Sequence, residues 1–274
     1  MNFFSSIFSS RFVFLALLIL VISGCQENNK PRIVLSFDTE YPIGIGFPEN
    51  FTEEQKREFI PSELEWIQGI KEISGIGIKN RVRFQFNVVG ITAEKYPNII
   101  KELSGNHDIS CHTYGHKDQL KIDYNEKVDE LKNCKKAVEN VTGREIKGNR
   151  FPYTRQNNES FIALNKAGYE WDSSLWRGKI ELVPLEFNGV KEYPINPASE
   201  DWYYFINQQK KDAEAFFRLF DEEIDKLNKN STYILVLHPW VLAKDKEKIR
   251  ALEGFVLRHR REIVSIDEIY SKIK

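Results

Sequence analysis

From Pro31 onward the chain alternates short apolar runs with amphipathic stretches, and this alternation restricts the possible folds more than any other feature. Strand-like runs stand at 32–37 (RIVLSF), 81–89 (RVRFQFNVV), 107–111 (HDISC), 146–150 (IKGNR) and 233–238 (YILVLH). Helix-like segments lie around 61–74, 93–103, 124–140, 157–166 and 212–229. In the third of these, Val128, Leu131, Cys134 and Val138 recur every three or four residues, as they would along one helix face. Strands that alternate with helices build βα units on a parallel sheet, open or closed into a barrel. No repeat, low-complexity tract or linker interrupts 32–274, so a single α/β domain is expected there.

Charge removes one class of function. Lys and Arg number 39 against 40 Asp and Glu, a formal net charge of -1. A nucleic-acid partner would call for a basic excess, so none is expected.

The N-terminus is of a different kind. Residues 12–22 (FVFLALLILVI) are an unbroken apolar run of 11, too short for a bilayer core, which takes about 20. Arg11 is the only charged side chain before it, and the small residues Ser23 and Gly24 follow, the pattern of an export signal. Ile22-Ser23-Gly24-Cys25 resembles the lipobox of prokaryotic lipoproteins. That resemblance implies a signal peptide over 1–24, a lipidated Cys25 and a short polar tether over 25–31. The catalytic domain would then be 32–274, exported and held by lipid on the periplasmic or cell-surface side of a membrane. Several acyl chains on Cys25 would give stable anchoring. Cys111 and Cys134 are expected to remain unpaired, Cys111 as a small buried thiol in a strand.

In open or closed parallel α/β folds, chemistry gathers where strands end. Reactive residues fall at those points repeatedly. Asp38-Thr39-Glu40 follows the first strand, His112-Thr113-Tyr114-Gly115-His116 the third, and Arg150-Phe151-Pro152-Tyr153 the fourth. Asp172-Ser173-Ser174-Leu175-Trp176 comes next, and His238-Pro239-Trp240 ends the last. His112 and His116, four apart, would share a face on one helical turn and could bind one metal. Singly, each has an ordinary explanation: a cap, a surface arginine, a satisfied core histidine. Together, at successive strand ends, they point to one active site.

This ordered set resembles the polysaccharide deacetylases with a NodB homology domain, whose motifs are of the types FDD or FDxD/E, H(S/T)xxH, RxPY, DxxxW and LxH. The matching residues here are Phe37-Asp38-Thr39-Glu40, His112 to His116, Arg150 to Tyr153, Asp172 to Trp176 and Leu235-Val236-Leu237-His238. The resemblance implies a distorted (β/α) barrel of about seven strands. It also implies a metal-dependent hydrolase that removes N-acetyl groups from an N-acetylated envelope or extracellular polysaccharide. A divalent metal, zinc first, would sit on His112, His116 and a carboxylate.

Threonine at 39 departs from the usual Asp-Asp pair. Residues 38 and 40 point to the same side of an ideal strand, so Glu40 is taken as ligand and Asp38 as base, with the reverse assignment open. By resemblance, Arg150 would pair with Asp38, and the Tyr153 backbone N–H would stabilise the oxyanion. His238 would protonate the leaving amine with Asp172 orienting it, and Trp176 and Leu235 would line the acetyl pocket. His107 and His259 match no motif and are read as structural or surface residues. Trp202-Tyr203-Tyr204 is either a sugar platform or a packed helix entrance. Two other readings stay open: a hydrolase of small cyclic amides or imides on the same barrel, and an inactive glycan-binding lipoprotein.

Overall fold

The computed structural model describes residues 30–41, 43, 45–48, 50–177, 184–196 and 200–272. The signal peptide and Cys25 read from the sequence lie outside the described residues. No helix among the described residues is long and apolar enough to cross a membrane.

Eight strands form one curled sheet: β1 Arg32–Thr39, β2 Gln85–Val88, β3 Asp108–Cys111, β4 Gly148–Asn149, β5 Trp171–Asp172, β6 Leu185–Phe187, β7 Val190–Glu192 and β8 Thr232–Leu237. Their order is β6-β7-β5-β4-β3-β2-β1-β8. Every neighbouring pair is parallel except β6–β7, which is a hairpin. Seven parallel strands therefore carry the barrel-like curl, in agreement with the number expected, and β6 is an added edge. The helices are α1 Glu53–Phe59, α2 Glu63–Asn80, α3 Gly90–Lys95, α4 Pro97–Asn106, α5 Tyr124–Thr142, α6 Asn158–Lys166, α7 Ala213–Ile224, α8 Pro239–Ala243, α9 Lys246–His259 and α10 Ile266–Ser271.

Local chemistry sets the ends of these elements. Ser62 accepts from Glu65 N while the Glu65 carboxylate accepts from Ser62 N, a reciprocal cap that starts α2. That helix runs past the expected 74 and stops only at Arg81, whose left-handed φ of 57° closes its C-terminus. The expected strand 81–89 is shortened by the same turn. Residues 239–271, which no strand or helix signal had marked, form α8, α9 and α10.

Alternation along the strands separates two apolar layers. Ile33, Leu35, Phe37, Leu235 and Leu237 face the helices and join the main core. Val34, Ile234 and Val236 point to the opposite face and pack with Trp171, Tyr193 and residues of α10. The register pairs Ser36 with Val236 and Leu35 with Leu235. Since register partners share a face in a parallel sheet, Leu235 belongs to the helix-packed side. The pocket role implied for Leu235 is therefore corrected, and the residue facing inward at this level is Val236.

Two predictions concern this core. A Cβ on Gly148 would lie 1.9 Å from the fully buried Trp171 ring. Gly148→Ala should thus cost roughly 1–3 kcal/mol of stability, read as a lower urea midpoint. Trp171 Nε1 donates to Asp267 Oδ1 at 2.8 Å. Burial pushes the Asp267 carboxyl up to about 7, a rise the Trp171 hydrogen bond only partly offsets. An acid whose folded pKa is raised contributes stability that is complete below its unfolded pKa and lost as pH rises through about 7. Asp267→Asn should therefore stabilise the protein at pH 8 relative to the parent but not at pH 4. Equal urea-midpoint shifts at both pH values would contradict this.

Candidate active site

The C-terminal ends of β1, β3 and β8 converge on Glu40. Its Oε2 lies 2.7 Å from His116 Nε2 and 3.7 Å from His112 Nε2. Its Oε1 accepts from Trp240 Nε1 at 3.0 Å and lies 3.5 Å from His238 Nε2. Burial alone would raise the Glu40 pKa. The His116 and His238 imidazoles around it instead hold it well below the usual carboxylate range.

The His112–His116 spacing is not helical, contrary to the expectation. β3 ends at Cys111, and both Thr113 and His116 take left-handed backbone angles, φ 58° and 56°. This loop is held from outside: Gly90 N and Ile91 N donate to the carbonyls of Thr113 and Tyr114, and Gly115 N donates to Glu130 Oε2 at 2.7 Å. The two imidazoles still meet, with Nε2 atoms 3.2 Å apart. His112 Nδ1 lies 2.8 Å from the Arg150 carbonyl, which can only accept. His112 must therefore carry its proton on Nδ1 and turn a bare Nε2 inward.

Glu40, His112 and His116 offer donor atoms all within 4.8 Å of one another, and all three side chains are buried. Two inward nitrogens and a carboxylate, with one histidine fixed through its other nitrogen, fit a divalent cation. Asp38 stands beside this group. Its Oδ1 accepts from Asn87 Nδ2 at 2.6 Å, and its Oδ2 lies 3.9 Å from His112 Nε2.

Two implied pairings are replaced. Arg150 forms no ion pair with Asp38 among the described residues; its Nη2 donates to Ser173 Oγ at 3.0 Å and to Ser36 Oγ at 3.3 Å. Asn87, the register partner of Asp38, holds that carboxylate instead. Asp172 does not orient His238 either, since four strands separate β5 from β8 and Asp172 Oδ1 accepts from Asn149 Nδ2. The His238 partner is Asp201. One of its oxygens accepts from His238 Nδ1 at 2.7 Å and the other from His238 N at 2.8 Å. Burial would lower the His238 pKa, but the Asp201 and Glu40 carboxylates outweigh it and push it up to about 10.

A cleft of about 310 Å³ opens above these groups, lined also by Tyr153, Thr154, Arg155, Trp176, Glu200, Trp202 and Tyr203. Tyr153 and Thr154 are left-handed, φ 57° and 53°. The turn's hydrogen bonds use Thr154 N and Arg155 N, leaving Tyr153 N outside them. The Tyr153 ring meets His116 edge-on at 4.9 Å. Four of the seven non-glycine residues with positive φ among the described residues thus lie in the two loops around the site, where backbone strain tends to gather. Trp176 is implied in the pocket and does line it. Trp202 and Tyr203 face the cleft as well, whereas Tyr204 packs on Phe205 and Phe216 in the core. His107 is fully buried against Phe84, and His259 pairs with Asp221, so both are structural.

Asp201 and Glu200 were missed by motif reading. Burial, together with the negative charges nearby, pushes the Glu200 carboxyl up to about 7. The available signal was the acidic pair directly before Trp202.

Comparison with known proteins agrees with this fold. Residues 70–171 match the family described as polysaccharide deacetylase. That stretch is similar to the polysaccharide deacetylases. A Mycobacterium smegmatis protein named for that family shares 20% identity, over 90% of this chain and 91% of its own, at a TM-score of 0.71. The PuuE allantoinase shares 16% identity over 85% and 87%, at 0.68. The Bc1960 peptidoglycan N-acetylglucosamine deacetylase shares 15% over 88% and 88%, at 0.55. At these identities the likeness is one of fold. No curated protein sequence matches the chain.

The Asp201–His238 pair makes a direct prediction. In chelated protein, the His238 imidazole should titrate far above the ordinary histidine range by NMR. In Asp201→Asn it should fall toward that range, because the nearest compensating charge is gone. An unchanged titration would remove Asp201 as its partner.

Proposed function

We propose that this chain is a lipid-anchored, zinc-dependent hydrolase that removes N-acetyl groups from an N-acetylated envelope polysaccharide. The observation that carries this reading is the buried Glu40–His112–His116 donor set, with Asp38 on one side and the Asp201–His238 pair on the other. The arrangement supports Glu40 as ligand and Asp38 as base, because Glu40 and not Asp38 completes the three-donor group. When bound, the ion would polarise the acetyl carbonyl and lower the pKa of water.

The chain's own residues supply the remaining chemistry. Asp38 Oδ2, free of the Asn87 bond, would take the proton of the attacking water. Tyr153 N–H would donate to the developing oxyanion. His238, kept as imidazolium by Asp201, would pass its Nε2 proton to the departing amine. Trp176 would exclude water from around the acetyl group, and Trp202 and Tyr203 would offer faces to sugar rings. Residues 1–24 would direct export, Cys25 would carry the lipid, and 32–274 would be the catalytic domain.

A second reading draws on the allantoinase-like fold and the small size of the cleft: hydrolysis of a small cyclic amide by the same groups. One assay separates the two. Protein beginning at Gln26 is incubated with N-acetylated glycans and with cyclic ureides, with and without chelator and added zinc. Chelator-sensitive acetate release from a glycan is expected, and ring opening without acetate release would replace the leading reading. Within that assay Asp38→Asn should keep zinc and lose turnover, by a factor of about 10²–10⁴. Loss of zinc in Asp38→Asn with retention in Glu40→Gln would reverse the assignment.

A further inference from the structure

Asp172 and Glu192 are register partners on the parallel strands β5 and β7, and neither side chain is exposed. Each has one oxygen well served. Asp172 Oδ1 accepts from Asn149 Nδ2 at 2.8 Å, while Glu192 Oε1 accepts from Ser174 N at 3.0 Å and Leu175 N at 2.7 Å. The other oxygens, Asp172 Oδ2 and Glu192 Oε2, are buried and receive no hydrogen bond from any described residue. The two carboxyls stand side by side on adjacent strands, with the Arg150 guanidinium also acting on Asp172. Two ionised oxygens cannot face one another in a dry interior, whereas one proton between them converts repulsion into an O–H···O bond. Burial and the neighbouring Asp172 charge raise the Glu192 pKa well above its ordinary value, consistent with that proton.

The pair does not reach the cleft, but its hydrogen bonds do. Ser174, held through its N–H by Glu192, accepts from Phe151 N on its Oγ at 2.8 Å. Phe151 opens the turn that carries Tyr153, and Leu175 precedes Trp176. One carboxyl therefore anchors two walls of the cleft.

We propose that Glu192, sharing one proton with Asp172, is a positioning residue that sets the Tyr153 turn and the Trp176 segment for the reaction. The proposal rests on the deacetylase reading for its kinetic consequence, but its structural part stands apart from that reading. Glutamine at 192 can reproduce the arrangement: Oε1 still accepts from Ser174 and Leu175, and Nε2 supplies the hydrogen to Asp172. Alanine cannot.

The test uses full-length, zinc-loaded protein with Glu192→Gln, Glu192→Ala and Ser174→Ala, followed by amide hydrogen exchange over 150–155 and 173–177 and by kcat and KM for acetate release. Glu192→Gln should keep parental protection and rate. Glu192→Ala should speed exchange in both segments by roughly tenfold or more, the loss of about one hydrogen bond each. Its kcat should fall by up to about 10²-fold, as for a small misplacement of reacting groups, with KM changed less and zinc content unchanged. Ser174→Ala should speed exchange at 150–155 alone, and this arm decides the proposal if Glu192→Ala does not fold. Unaltered exchange in Glu192→Ala, or in Ser174→Ala at 150–155, would overturn it. So would a Glu192→Gln protein as impaired as Glu192→Ala, since charge rather than the shared proton would then matter. If the parent releases no acetate from any glycan, the deacetylase reading fails while the exchange results still judge the clamp.

Discussion

A single carboxylate, Glu40, is the point on which the site depends. It lies at the end of β1 and is reached by His112 and His116 after β3, by His238 after β8 and by Trp240 from α8. Such a group is costly to bury unless its partners are already in place. The parallel sheet puts them there, because β1 has both β2 and β8 as neighbours and all its flanking strands end on the same side. Glu40 also divides the labour of the site: Oε2 faces the two inward imidazoles, while Oε1 faces His238 and the fixed indole N–H. The candidate cation site and His238, the proposed acid, are thus joined through one residue.

Around this point the structure places a layer of uncharged donors where the family pattern implied an arginine. Asn87 donates to Asp38, receives a hydrogen bond from Ser110 Oγ and also donates to Ser36 Oγ. This fixes the Asp38 carboxylate without neutralising it. Arg150 is drawn deeper, toward Ser36, Ser173 and the buried Asp172–Glu192 pair. Its backbone nevertheless serves the site, since its carbonyl orients His112. Fourth-motif residues therefore support the walls of the cleft, and Asp201 has taken over the histidine.

What the sequence made legible follows from the physics of each feature. Strand alternation and the placing of reactive residues at strand ends depend on local pattern, and β1, β3 and β8 were readable for that reason. His112, His116, Asp38, Glu40 and His238 were identified as a group, and the fold brings them together. Short strands escaped: β5 has two residues and β6 and β7 have three each, and tertiary pairing rather than propensity makes them strands. Leu235 was misplaced by one residue, which in a period-two element is a reversal of face. The partner of His238 was unreadable because it comes from a segment 37 residues away that neither pattern nor spacing ties to β8.

The central claim is that Glu40, not Asp38, completes a three-ligand metal centre. Crystals grown with zinc, measured on both sides of the zinc absorption edge, test it directly. The account predicts one anomalous peak at roughly 2.0–2.2 Å from Glu40 Oε2, His112 Nε2 and His116 Nε2, with Asp38 outside that distance. A peak bound by Asp38 with Glu40 turned away, or no peak between the two histidines, would contradict it.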